Sequence, residues 1–109
     1  MELFQEIQRL NKLLDIAITE LKERGRAYAE AYKTYRILLS KELLRLRDEG
    51  TPVTIAYDIA RGKEEIAEAK QQEIITESLY KSCQEAINVY KLQIKIVQEQ
   101  INREYTNIK

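Results

Sequence analysis

The chain has 109 residues, a third of them charged, with 18 basic and 18 acidic side chains, no histidine and a single cysteine. This length makes one domain at most, the cancelled charge gives no bulk field favouring nucleic acid or an anionic membrane as partner, and Cys/His zinc sites, Cys–His nucleophiles and Ser-His-Asp triads are excluded. The lone Cys83 fits a reducing compartment, the opening Glu2-Leu3-Phe4-Gln5-Glu6 lacks the basic start of a signal peptide, and no apolar run approaches the roughly 18 residues of a membrane span, so a cytoplasmic setting is expected.

Residues 2–49 read as a first long helix. Leu3, Ile7, Leu10, Leu14, Ala17 and Leu21 alternate steps of four and three, the seam of a coiled coil. Leu13, Ile16 and Ile18 widen that stripe toward a second partner surface. The phase then shifts to Tyr28, Tyr32, Tyr35, Leu39, Leu43 and Leu46, whose recurrence at eleven residues relaxes a left-handed supercoil. Gly25 stands at the shift and, with Ala29, marks either a close approach or a kink. The tyrosines read as core, with each hydroxyl finding a partner at the rim.

Residues 50–62 form the one chemically distinct segment, holding the only proline and two of the three glycines. Thr51 before Pro52 reads as an N-cap followed by proline at the first helical position. A short helix over about 52–61 follows, with Gly62 as a left-handed C-terminal cap. Two helix N-termini then lie near basic and hydroxyl side chains, which makes an anion pocket of Arg45, Arg47, Thr51, Thr54, Tyr57, Arg61 and Lys63. The plainer alternative is a capped corner in which Arg61 pairs with Asp58 and Arg47 with Glu65.

A second long helix spans about 63–106. Ile66, Ala69, Ile74 and Ile75 lead into a regular seam of Tyr80, Cys83, Ile87, Tyr90, Ile94, Val97, Ile101, Tyr105 and Ile108. Cys83 is a small hydrophobe of that seam. The expected fold is all-α: a long antiparallel helical hairpin with a short elbow helix. Folding about the elbow opposes positions whose numbers sum to about 112, placing Ile7 by Tyr105 and Tyr28 by Cys83. The basic excess between Lys22 and Arg47 would then meet Glu64, Glu65, Glu68, Glu73 and Glu77. A two-helix hairpin leaves the broader stripes of Leu13, Ile16, Ile18, Leu79, Ala86, Val89 and Ile96 wet, so assembly into an oligomeric bundle, a homo-oligomer, is expected.

Catalytic chemistry is absent from this pattern, and no cofactor or metal is expected. Gly25, Gly50 and Gly62 are too scattered for a phosphate loop. Glu64, Glu65 and Glu68 read as a solvated face rather than a Mg²⁺ site. Pro52–Ala60 resembles the opening of the helix-turn-helix in lac-repressor-type regulators, but with an extra residue before Tyr57 and a shortened turn before Gly62. The helix that would read bases opens Lys63-Glu64-Glu65-Ile66-Ala67-Glu68, whose carboxylates repel phosphates.

Arg45-Leu46-Arg47-Asp48-Glu49-Gly50-Thr51-Pro52-Val53-Thr54, Ala60-Arg61-Gly62-Lys63-Glu64-Glu65-Ile66-Ala67, Tyr80-Lys81-Ser82 and Ala86-Ile87-Asn88-Val89-Tyr90-Lys91 carry a wider likeness. Through them the whole chain resembles a group of small, mostly uncharacterised proteins encoded by phages and prophages of Gram-positive bacteria. The resemblance implies expression in a bacterial host's cytoplasm and action by binding, and it brings no catalytic residue. Together with the elbow it points to a non-enzymatic, anti-defence binding protein that sequesters an anionic nucleotide signal. The alternatives are a helical protein-interaction module binding a host or phage protein, or an accessory to phage replication or recombination.

Overall fold

A computed structural model describes residues 2–108, with side chains as far as Thr106. Among these residues the chain is all-helical, with α1 over Glu2–Asp48, α2 over Val53–Gly62 and α3 over Glu64–Ile108. None of the three is long and apolar enough to cross a membrane. The helices pack as two compact units: Met1–Glu23 with Lys81–Lys109, here the terminal unit, and Arg24–Tyr80, the elbow unit.

In the terminal unit Leu10, Ala17, Cys83, Ile87 and Val97 are buried. The Cys83 thiol donates to the Ala17 carbonyl at 3.3 Å, and the Phe4 and Tyr105 rings meet edge-on at 6.5 Å. Phe4, rather than the expected Ile7, therefore faces Tyr105, which stays exposed. The side chain of Ile108, also expected in the seam, lies outside the described residues.

The elbow unit is built round Tyr35, Leu39, Leu46, Ala56, Ala60 and Ile66, with Leu38, Leu43 and Ala69 packed against them. All three helices contribute, and the small Ala56 and Ala60 let α2 lie close on α1 and α3. Three contacts give one antiparallel register. The Tyr28 hydroxyl donates to Glu77 at 2.6 Å, Lys70 Nζ sits 4.8 Å over the Tyr35 ring, and Lys63 Nζ donates to Glu42 at 3.0 Å. Each pair of numbers sums to 105 rather than the expected 112. The physical reason is α2, which folds back onto α1 instead of extending past its end, so that Lys63 arrives opposite Glu42. Tyr28 accordingly meets Glu77 and the Tyr80 ring, 6.2 Å away. The ion pair also runs opposite to expectation, with the carboxylate on α1 and the ammonium at the start of α3.

The seams hold polar residues that an apolar pattern passes over. On α3, Ile66, Glu73 and Thr76 are buried while Ile74 and Ile75 are exposed. Glu73 takes Lys70 Nζ at 3.2 Å, and the Thr76 hydroxyl donates to the Gln72 and Glu73 carbonyls at 2.8 and 3.0 Å. On α1, Ala31 and Glu42 are buried, and Tyr32 is exposed with the Arg36 guanidinium 6.0 Å over its ring. Gly25 lies within continuous helix, and a Cβ there would come 3.2 Å from Tyr80 Cε1. The close approach is therefore by a tyrosine ring.

The turn out of α1 is a Schellman motif: Gly50 N–H bonds the Arg47 carbonyl and Thr51 N–H the Leu46 carbonyl, each at 3.0 Å. This requires the left-handed φ of +84° that Gly50 adopts. The left-handed glycine is thus Gly50 and not Gly62, which ends α2 in helical conformation. Thr51 does not cap α2 either. Pro52 occupies the N-cap position without a side-chain bond, its carbonyl accepting from Ile55 and Ala56.

Candidate functional site

The seven basic and hydroxyl residues expected to converge at the elbow divide into separate environments. Arg45 and Lys63 come together, but on a buried acid. Glu42, 6% exposed, accepts from Arg45 Nη2 at 2.5 Å and from Lys63 at 3.0 Å, while Arg45 Nη1 reaches Glu49 at 2.5 Å. The Arg45 guanidinium and then Lys63 hold the Glu42 carboxyl well below its ordinary 4.5, at about 2, against the opposing effect of burial. Both cations are committed to carboxylates, Arg45 to Glu42 and Glu49 beside it in sequence and Lys63 to Glu42 across the elbow. Thr51 is half-buried in the turn, and Thr54 and Arg47 are exposed. Arg47 makes no ion pair among the described residues, Glu65 included, and α3 opens with Glu64 and Glu65, whose charges already complement its N-terminus.

A folded pKa below the unfolded one stabilises the fold above the unfolded value, and this is lost as pH falls through the folded value. Glu42 therefore supports the elbow fully above pH 4.5 and loses that support toward about 2. Thermal melts from pH 7 to pH 2 should fall more steeply below pH 4.5 for the wild type than for Glu42→Gln. Parallel curves would show that the pair contributes nothing.

Tyr57 and Arg61 converge elsewhere. The Arg61 guanidinium lies 5.4 Å over the Tyr57 ring, one helical turn away on α2. Beside them an open pocket of about 330 Å³ is lined by Tyr35, Asp58, Arg61, Gly62, Ala67 and Lys70. Burial, and then the neighbouring Tyr57 phenol, push the Tyr35 hydroxyl above its usual range and keep it a donor, although Lys70 and Arg61 pull the other way. Among the described residues Arg61 has no carboxylate partner, so the expected pairing with Asp58 is not formed. Its planar donor set therefore faces a pocket that contains a second cation, Lys70.

Tyr57 and Arg61 were legible because they sit in the one non-repetitive segment. Tyr35 and Lys70 carried no such signal, since each lies within a long helix and only the register brings them to α2. A larger groove of about 620 Å³ in the terminal unit is lined by Leu21, Lys81, Gln84, Glu85, Ile87 and Asn88. Its Lys81 and Glu85 are opposite charges one turn apart, without the convergence found at α2. The chain matches no protein-family model, no curated protein and no solved structure.

Proposed function

We propose that this chain is a non-enzymatic, phage-type binding protein of the bacterial cytoplasm, a helical hairpin that assembles as a homo-oligomer and sequesters an anionic nucleotide signal. The observation that carries the reading is Arg61: a guanidinium stacked on Tyr57, unpaired with any described carboxylate, beside a pocket holding Lys70 and the Tyr35 phenol. A fixed planar fork of donors suits phosphate oxygens. The binding site is accordingly moved from the Arg45–Lys63 side of the elbow to the Tyr57–Arg61 side.

Calorimetry against linear and cyclic nucleotides tests it. Arg61→Ala should weaken binding by about five- to 150-fold, the worth of a charge-assisted contact at roughly 1 to 3 kcal/mol. Absence of heat from the wild type at millimolar ligand would end the nucleotide reading. The same samples in sedimentation equilibrium should exceed the 12.9 kDa of one chain; a single-chain mass would remove the oligomer.

A second reading, the helical protein-interaction module, is favoured by a different observation. Val89, Leu92 and Ile96 follow steps of three and four along α3 and are each 45% exposed or more. An uncovered apolar stripe of this kind suits an interface, with a copy of the chain or with a host or phage protein. It is the reading that stands if calorimetry shows no nucleotide.

A further inference from the structure

The α2 pocket carries a more specific chemistry than anion binding. Arg61 and Lys70 supply two positive groups, but Asp58 lines the same space and has no hydrogen-bond partner among the described residues. A carboxylate is acceptor-only. A bare phosphate placed on Arg61 would bring its charge against Asp58, whereas a phosphate attached to a group with its own N–H or O–H donors satisfies both ends. The Tyr35 phenol, which meets that of Tyr57, adds a hydroxyl to the lining. Tyr57 lies outside the lining, and its ring backs the Arg61 guanidinium. About 330 Å³ stands at the lower end of the roughly 300–1,000 Å³ found for small-molecule pockets, the size of one nucleotide unit rather than two.

We infer that this pocket takes a single nucleoside monophosphate unit, with the phosphate on Arg61 and Lys70 and a ribose hydroxyl or base amine on Asp58. The inference rests on the nucleotide-sequestering reading and narrows it. Asp58 is the specificity determinant: it turns a site that would accept any small oxyanion into one that demands a donor beside the phosphate. Lys70 is shared with Glu73 at 3.2 Å, so Arg61 is the principal phosphate ligand.

The test is calorimetry with the four ribonucleoside 5′-monophosphates, the free nucleosides, inorganic phosphate and a cyclic dinucleotide, on the wild type and Asp58→Asn. Asp58 is exposed, and unchanged circular-dichroism melts would show that the variant keeps its fold. The wild type should bind at least one monophosphate roughly tenfold or more tighter than inorganic phosphate or the free nucleoside. Asp58→Asn should shrink that preference to within about threefold, by strengthening inorganic phosphate and weakening the nucleotide. Equal wild-type affinity for phosphate and nucleotide, or a preference that survives Asp58→Asn, would overturn the inference. Tight binding of the cyclic dinucleotide without any monophosphate would also overturn it while leaving sequestration intact. No binding of any probe would remove both.

Discussion

Ile66→Ala should cost about 2–5 kcal/mol of stability, as truncations of fully buried aliphatic side chains do. Ile66 is 2% exposed and shares its cluster with Tyr35, Leu39 and Leu46 of α1 and with Ala56 and Ala60 of α2. The neighbours from α2 are the reason to expect a large loss. Alanines have no side chain to swing into the vacated space, and Ala60 is already 0% exposed. Against a total of about 5–15 kcal/mol for a typical domain, such a loss is readily measured by urea denaturation. A cost below about 1 kcal/mol would mean that α2 collapses into the gap, and that its position, and with it the Tyr57–Arg61 pair, is less firmly held than the packing implies.

The helices were legible from the chain because their signals are local. Steps of three and four marked Leu3, Ile7, Leu10, Leu14, Ala17 and Leu21 as one face, and these residues are buried or half-buried in the structure. Where a seam position is filled by a polar residue, hydrophobicity alone gives no mark, so Glu42, Glu73 and Thr76 went unrecognised and the exposed Ile74 and Ile75 took their place. Gly50 and Gly62 were indistinguishable as caps in sequence. Only the bonds from Gly50 and Thr51 to Arg47 and Leu46 decide which glycine is left-handed.

The site was half legible for a related reason. A register summing to 112 places Glu77 opposite Tyr35, and one summing to 105 places Lys70 there. The two differ by seven residues, one heptad, and the α3 seam through Tyr80, Ile87 and Ile94 repeats at that spacing, so it looks the same after the shift. An apolar seam therefore has no means of choosing between them. Tyr57 and Arg61 could be proposed from their own segment, but their partners on α1 and α3 depend on a choice that the repeat leaves open.

That degeneracy predicts what the polar contacts between the helices are for. The cross-helix contacts Glu42–Lys63 and Tyr28–Glu77 form only in the observed register, and polar groups in a helical seam are the best-attested means of fixing one. In the double variant Tyr28→Phe, Glu42→Leu both seam positions stay apolar, so the helices should remain paired. Lys63 and Arg45 are left without Glu42 but stay about half exposed to water, so melting should fall only by the support that Glu42 gives above pH 4.5, while a second register becomes populated. A slip of one heptad moves α3 along α1 by about 10 Å at 1.5 Å per residue. Spin labels at Lys33 and Glu65, in a Cys83→Ala background, should give one distance in the parent and two in the double variant. A single, unchanged distance in both would defeat the idea. The register would then be held by the docking of Ala56 and Ala60 among Leu39, Leu46 and Ile66, and the same packing that places Arg61 beside its pocket would also set the pairing of the long helices around it.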